Sequence, residues 1–187
     1  NWNQTDLTLA CLKSVFQSKT DGQIETEIIV VDNGSTDGSR EYLSNIALEQ
    51  YRNIDKKKKQ SKRLNVYKAN ANKRSMSLKV IFNKNNTGFA KANNIGIKES
   101  RGKYLLFLNP DTIVLPETIP FMLEFMKKNP AVGVATCRVE LIDGKLDEAC
   151  HRGFPTPWNA FCHFSGLEKL FPHSRLFAGY YLGYLDL

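Results

Sequence analysis

The stretch that decides the fold reads EIIVVDNGSTDG and runs from residue 27 to residue 38. Its first half is a run of mostly β-branched residues that is apolar on both faces, as is typical of a strand in a parallel sheet covered by helices on both sides. Its second half consists of small and polar residues that favour turns. We therefore predict a buried strand that ends at Asp32, followed by a loop over 33–38.

The alternation of strands and helices continues along the chain. Two further apolar strands are predicted, LKVIF at 78–82 and KYLLFL at 103–108. The spacing of apolar residues predicts helices over 6–17, 39–49, 87–100, 116–128 and, weakly, 159–170. Asp143-Gly144 predicts a C-terminal hairpin whose arms run over 131–142 and 145–153. This order predicts an α/β fold, in which a mostly parallel sheet is flanked by helices.

The composition is that of an ordinary soluble globular protein, with 42% hydrophobic and 24% charged residues. A length of 187 residues predicts a single domain over 1–187. No run approaches the roughly 18 apolar residues that a membrane-spanning helix requires, and no secretory signal is visible. The four cysteines are scattered and form no CxxC pair. Reduced thiols and a cytoplasmic location are therefore expected.

The formal net charge of +7 is concentrated in one segment. Residues 51–84 contain twelve Lys or Arg and one acid, a net of +11, so the other residues sum to 7 − 11 = −4. We interpret about 51–77 as a basic insertion, which includes KKKK at 56–59. Nucleic-acid binding is disfavoured, because it requires basic residues spread over a folded face. The insertion is either a solvated loop or a contact with an anionic membrane surface or an acidic glycan.

Two acids follow predicted strands, Asp32 directly and Asp111 three residues after Leu108. Ligands of open α/β sheets bind beyond the carboxyl ends of the strands. Hard cations such as Mg²⁺ and Mn²⁺ prefer carboxylate oxygens and keep open positions for phosphate and water. Asp111 is therefore a candidate metal ligand, and the alternative is that Asn109-Pro110-Asp111-Thr112 is a simple turn. Asp32 is able to accept hydrogen bonds from a ligand or to stabilise its own loop.

The segment NNTGFA at 85–90 joins a predicted strand to a predicted helix. Its small residues allow close approach, and the N–H groups at a helix N-terminus favour anions. The alternative is simple capping of the helix by Asn86 or Thr87. Asn93 and Asn94 lie inside the predicted helix, where Asn has a poor propensity, so at least one of them is expected to face a polar site.

Other chemistries are disfavoured. The dipeptides Cys150-His151 and Cys162-His163 have the wrong spacing for a structural zinc site. No GxGxxG follows a strand, which disfavours a dinucleotide-dependent oxidoreductase. A sugar-phosphate nucleotidyltransferase would require a Gly-rich phosphate loop followed by a basic residue near the N-terminus, and none is present.

Four segments together resemble the family 2 glycosyltransferases, and among these most closely the bacterial rhamnosyltransferase-like branch. They are NWN at 1–3, IIVVDNGSTDG at 28–38, NTGFAKANN at 86–94 and GKYLLFLNPDT at 102–112. The resemblance implies the GT-A fold, the Rossmann-like fold of nucleotide-diphospho-sugar transferases. It also implies an inverting, metal-dependent transfer of a sugar from a dTDP- or UDP-sugar to a hydroxyl of a surface polysaccharide or lipid-linked glycan, at the inner face of the plasma membrane.

The resemblance assigns expected roles to particular residues. Asp32, with Asn1 or Asn3, is expected to recognise the base or ribose. Asn86, Gly88 and Asn93 are expected to line the donor cleft. Asn109 replaces the first acid of the family's Asp-x-Asp, which leaves Asp111 as the main protein ligand of Mg²⁺ or Mn²⁺, and Arg152 is expected to reach the donor phosphates.

Two departures from the family pattern affect the expected activity. The family's first apolar strand would precede Asn1, and its acceptor-side segment with an acidic base has no match after Tyr180. An inverting transfer needs such a base, so we expect a donor-binding fragment truncated at both ends whose base lies outside this chain. The alternative is a sugar-nucleotide-binding module without catalysis.

Overall fold

The structure is a computed structural model that describes residues 1–19, 24–51, 69–70, 76–147, 150 and 152–185. The basic insertion predicted at about 51–77 lies almost entirely outside the described residues. The elements are α1 (Thr5–Phe16), β1 (Thr26–Asp32), α2 (Ser39–Tyr51), β2 (Ala69–Asn70), β3 (Met76–Phe82), α3 (Phe89–Glu99), α4 (Thr118–Lys128), α5 (Pro157–Phe164) and α6 (Leu167–Leu170).

The chain forms two compact units, Asn1–Lys127 and Lys128–Leu187. One domain can contain two such units, so the single domain over 1–187 stays a prediction. No helix in the described part of the chain is long and apolar enough to cross a membrane.

The first unit is built on a small sheet with strand order β1-β3-β2. β1 and β3 are parallel, in a register that runs from Thr26 opposite Met76 to Asp32 opposite Phe82. The two-residue β2 pairs antiparallel with β3. The parallel pair flanked by helices confirms the predicted α/β class, and it brings the carboxyl ends of β1 and β3 to one edge.

Helices cover both faces of this sheet. On one face, Leu12 of α1 and Leu43 of α2 pack with Val30, Leu78 and Val80 in the core. On the other face, α3 approaches β1 so closely that a Cβ placed on Gly96 would lie 3.6 Å from the Val31 Cγ2. Coverage of both faces explains why 28–31 is an unbroken apolar run rather than an alternating one.

One charged side chain, that of Lys79, is buried in β3. Its Nζ donates to the Glu99 carbonyl at 3.0 Å and to the Glu99 carboxylate at 3.1 Å, and it lies 3.9 Å from the Glu27 carboxylate. A buried ammonium needs such partners to offset its desolvation. The contacts attach the C-terminal end of α3 to the sheet.

The strand predicted at 103–108 does not form and pairs with no strand in the described ranges. Its side chains Leu105, Leu106 and Phe107 are 47%, 60% and 58% exposed. An apolar run predicts burial but not the backbone partner that a strand requires. The prediction of a strand here is therefore wrong for this structure.

The hairpin turn at Asp143-Gly144 is confirmed, although the arms beside it are shorter than predicted. The Leu141 N–H donates to the Lys145 carbonyl at 2.7 Å, and Gly144 has a φ of +79°. Outside the named strands, a single antiparallel bridge joins Glu140 to Leu146 in the part of the chain that the structure describes. Gly at the αL position is what this turn requires.

Candidate functional site

The carboxyl end of β1 carries a buried polar cluster around Asp32. The Asp32 carboxylate is fully buried and accepts hydrogen bonds from Asn1 Nδ2 at 2.9 Å, from the Ser35 hydroxyl and from the Ser35 N–H at 3.2 Å. The Asn1 Oδ1 in turn accepts from the Thr8 hydroxyl at 2.9 Å. The structure thus joins two predicted site residues, Asp32 and Asn1, through side chains that already bond to each other.

Asn3 lies beside this cluster and is exposed. It has a φ of 49°, a left-handed conformation that Asn tolerates better than most residues. Its Oδ1 accepts from the Thr36 N–H at 2.8 Å, and its own N–H donates to the Ser35 hydroxyl at 3.0 Å. These bonds hold residues 1–3 against the loop that follows β1.

Asp37, in the same loop, connects the starts of two helices. Its carboxylate accepts from the Thr5 N–H and hydroxyl at the start of α1, and from the Ser39 N–H and hydroxyl at the start of α2. The hydrogen bond from Ser39 is the largest cause that lowers the pKa of Asp37 from 3.8 to about 2. An acid at two helix N-termini also complements both helix dipoles.

Asn33 connects the end of β1 to the loop at 83–88. Its Nδ2 donates to Asn86 Oδ1 at 2.8 Å and to the Gly88 carbonyl at 3.4 Å. Its Oδ1 accepts from Asn83 Nδ2, from the Thr87 N–H and from the Thr87 hydroxyl, each at 3.0 Å. Asn33 is buried, and its side-chain amide bonds to other residues of the chain. The sequence did not single out Asn33, and its position directly after Asp32 was the only signal.

The predicted cleft residues Asn86, Gly88 and Asn93 lie at the start of α3. Asn86 Oδ1 accepts from the Gly88 N–H at 2.9 Å as well as from Asn33. Gly88 is the N-cap of α3 with φ 84° and ψ 164°, and no side chain caps this helix. The capping by Asn86 or Thr87 that the sequence allowed is therefore absent. Asn93 Nδ2 donates to the Phe89 carbonyl of its own helix at 3.1 Å.

Asp111 lies in a turn closed by the Thr112 N–H, which donates to the Asn109 carbonyl at 3.3 Å. Asn109 and Asp111 are exposed. The Asp111 carboxylate has no hydrogen-bond or ion-pair partner among the residues that the structure describes. No group of three or more His, Cys, Asp or Glu side chains in the described ranges is placed to hold a metal ion. Asp111 thus offers one free carboxylate rather than a complete set of protein ligands.

Helix α1 links the Asp32 cluster to the Asp111 turn. Thr8 bonds to Asn1, and one turn later the Cys11 thiol lies 3.6 Å from the Asn109 carbonyl, to which it donates. Burial raises the pKa of the Cys11 thiol, and the nearby Asp111 carboxylate raises it further. Because three helical residues rise about 4.5 Å, one buried helix face contacts both groups of predicted site residues.

Arg152 belongs to the second unit. Its guanidinium carbon lies 5.9 Å from the centre of the Tyr180 ring and 5.7 Å from that of Tyr181. Cations at this distance from an aromatic face are attracted by the ring quadrupole.

The family model described as "Glycosyl transferase family 2" matches residues 1–73 and 64–185. The chain belongs to glycosyltransferase family 2. This family has the GT-A fold, in agreement with the parallel strands and flanking helices of the first unit. The two matched segments overlap at 64–73, inside the basic segment.

Three curated relatives illustrate the range of this family 2 similarity. An uncharacterized glycosyltransferase of Haemophilus influenzae is 31% identical over 124 residues, which are 66% of this chain and 37% of that protein. One of Rickettsia felis is 32% identical over 68% of this chain and 17% of the relative. The poly-beta-1,6-N-acetyl-D-glucosamine synthase of Staphylococcus epidermidis is 27% identical over 72% of this chain and 26% of that synthase. The chain thus spans between about a sixth and two fifths of the length of these relatives.

Proposed function

We propose that this family 2 chain forms the donor-binding part of an inverting glycosyltransferase. It takes a sugar from a dTDP- or UDP-sugar, and the acceptor is a hydroxyl of a surface polysaccharide or lipid-linked glycan at the cytoplasmic face of the membrane. dTDP-activated rhamnose is the first donor to test, because the sequence motifs resemble the rhamnosyltransferase-like branch. The observation that carries the proposal is that α1 contacts both the Asp32 cluster and the turn that presents a free Asp111 carboxylate.

The base and ribose of the donor are assigned to the end of β1. Asn3 is exposed, and its Nδ2 has no partner among the described residues, so it is free to donate to the nucleoside. Asp32 is fully buried and bonded to Asn1 and Ser35. A direct contact between Asp32 and the base therefore requires those two side chains to move. While Asp32 stays bonded to Asn1 and Ser35, it contributes indirectly, by fixing the Asn1 side chain and the loop at 33–38.

The diphosphate is assigned to the starts of α3 and of the Asp111 turn. The first-turn N–H groups of α3 lack a side-chain cap, and such groups favour phosphate oxygens. Asn86 and Gly88 shape this end of the cleft, with Asn93 one turn further along α3. Arg152 stays a candidate for the donor phosphates.

Asp111 is the proposed protein ligand of Mg²⁺ or Mn²⁺. A single exposed carboxylate fits a cation that takes its other ligands from phosphate oxygens and water, as Mg²⁺ usually does. When bound, the ion neutralises the charge that develops on the leaving diphosphate. Asn109 holds the turn through its carbonyl, which accepts a hydrogen bond from Cys11. Pro110 restricts the backbone between Asn109 and Asp111.

The transfer itself requires the acceptor hydroxyl to attack the anomeric carbon while the bond to the diphosphate breaks. A base must take the hydroxyl proton, and we assign no residue to that role. Binding of the donor without transfer in the full-length protein would favour the alternative, a sugar-nucleotide-binding module.

Calorimetric titration of dTDP and UDP with and without Mn²⁺ tests the role of Asp111. We expect Mn²⁺ to strengthen binding to the unaltered chain, and Asp111→Asn to weaken the metal-assisted binding by at least about tenfold, or about 1.4 kcal/mol. Affinity without metal should change little. Asp143→Asn is the matched control, because it removes an exposed carboxylate from the hairpin turn. Full metal dependence in Asp111→Asn would overturn the assignment.

A further inference from the structure

The segment that carries Asp111 has little support from the sheet. The structure describes all of 103–117, and these residues form no strand. Within this segment only the Val114 side chain is buried. A segment with so few buried side chains has a low local stability, so the position of Asp111 depends on individual contacts.

Helix α1 makes such contacts on both sides of Asp111. The Cys11 thiol donates to the Asn109 carbonyl, two residues before Asp111. The Ser14 hydroxyl accepts a hydrogen bond from the Val114 N–H at 3.0 Å, three residues after Asp111. One face of α1 thus holds the backbone before and after the turn.

The Ser14 hydroxyl is suited to accept this bond. Ser14 is buried, and its oxygen donates to the Cys11 carbonyl of its own helix at 2.7 Å. A hydroxyl carries a single hydrogen, which this bond uses, so towards Val114 the oxygen acts as an acceptor. An unpaired buried N–H is unfavourable, and the bond therefore keeps the Val114 backbone beside α1.

We propose that Ser14 is a positioning residue for metal-assisted donor binding. The proposal rests on the role proposed above for Asp111 as the ligand of Mg²⁺ or Mn²⁺. Through its bond to Val114, Ser14 orders the turn before the metal and the donor bind. Fixing the backbone of one residue on binding weakens affinity by a factor of about ten, and a turn that is already ordered avoids this loss.

Calorimetric titration of the full chain with dTDP and with thymidine, each with and without Mn²⁺, tests the proposal. In Ser14→Ala we expect the Mn²⁺ enhancement of dTDP affinity to fall at least about fivefold. Thymidine affinity should not change, because the nucleoside is assigned to the end of β1. Ser14→Thr keeps the hydroxyl and should keep the enhancement.

Two further variants make the result specific. Leu12→Val is the matched control, because Leu12 is a buried residue of the same helix that packs with the sheet core. It should lower stability and leave the Mn²⁺ enhancement intact. Cys11→Ala removes the bond on the other side of Asp111, and it should lower the enhancement by about twofold or more.

Amide hydrogen exchange of the metal-free protein gives a readout that needs no ligand. In Ser14→Ala the Val114 amide should exchange at least about tenfold faster, relative to the amide of Val80 in β3. Ser14→Thr and Leu12→Val should leave this ratio unchanged. Circular dichroism would check that each variant is folded.

The outcomes separate the positioning role from the metal role. The positioning role is overturned if Ser14→Ala, or Cys11→Ala where Ser14→Ala does not fold, keeps the full Mn²⁺ enhancement. It is also overturned if Ser14→Thr and Leu12→Val lose the enhancement as Ser14→Ala does, because the loss would then follow from stability alone. If the unaltered chain binds dTDP equally well with and without Mn²⁺, the metal role of Asp111 fails and the positioning role falls with it.

Discussion

At the scale of single residues, Asn33 organises the candidate site more than any residue that the sequence singled out. Among the described residues, the hydrogen bonds of its side-chain amide all go to the loop at 83–88, where they hold the Asn86 side chain, the Thr87 backbone and the Gly88 carbonyl. The neighbouring Gly34 allows the same loop to approach, since a Cβ at Gly34 would lie 2.7 Å from the Asn85 carbonyl carbon. The loop geometry therefore depends on Asn33 and on the absence of a side chain at Gly34.

Asn33→Asp separates the hydrogen bonds that the Asn33 side chain donates from those that it accepts. The carboxylate keeps the acceptor for the Thr87 N–H but loses both donors, so it faces the Asn86 and Gly88 oxygens. We expect a loss of about 1–3 kcal/mol in the free energy of unfolding, since buried polar groups are left unpaired. Urea denaturation measures this loss.

Two comparisons make the Asn33 prediction specific. Asn45→Asp adds the same charge on the exposed side of α2 and should change stability by less than about 0.5 kcal/mol. Asn86→Ala should be non-additive with Asn33→Asp, because the two side chains share a hydrogen bond. Additive effects in that double-mutant cycle would contradict the role given to Asn33.

At the scale of elements, α1 is a polar connector as well as a core helix. Leu12 and Val15 are buried, and beside them Thr8, Cys11 and Ser14 follow one another at intervals of three residues. Their contacts are to Asn1, the Asn109 carbonyl and the Val114 N–H. The small polar side chains on this face thus hydrogen-bond to two segments, residues 1–3 and 109–114, and fix their positions. Apolar side chains would bury these segments without such directional bonds.

Ser14→Ala tests that positioning. The Ser14 hydroxyl donates to the Cys11 carbonyl at 2.7 Å and accepts from the buried Val114 N–H at 3.0 Å. Its removal leaves that N–H without a partner, which should cost about 1–3 kcal/mol of stability. Ser44→Ala is the control, because its hydroxyl donates to the Arg40 carbonyl of its own helix. Equal unfolding midpoints for Ser14→Ala and Ser44→Ala would show that Ser14 does not hold the 109–114 segment.

A comparison of the predicted and observed elements shows which parts of the fold can be predicted from the sequence. Periodicity and turn chemistry located α1, β1, α2, β3 and α4 to within a few residues, and Gly144 marked its turn correctly. The segment at 103–108 failed because an apolar run does not specify a pairing partner. At the site, Asp32 was recognisable in the sequence as an acid at a strand end. Asn33, Thr8 and Cys11, in contrast, act through contacts with residues 7 to 98 positions away. Such contacts have no local signal.

At the scale of the whole molecule, the predicted donor-site residues lie in the first unit, except Arg152, which lies in the second. The family match extends over both units. The matched relatives are much longer than this chain, so sugar transfer is proposed for the whole protein and donor binding for the chain itself.

The most direct test of donor binding at the Asp111 turn uses Mn²⁺ as a paramagnetic probe. Mn²⁺ added with dTDP to isotope-labelled protein broadens the amide signals nearest the ion. We predict selective loss of the amide signals of Asn109, Asp111, Thr112 and Cys11, with the signals of the 141–145 turn retained and no broadening in Asp111→Asn. Broadening centred elsewhere, or the same broadening in Asp111→Asn, would contradict the assignment of the metal and of the donor diphosphate to this turn.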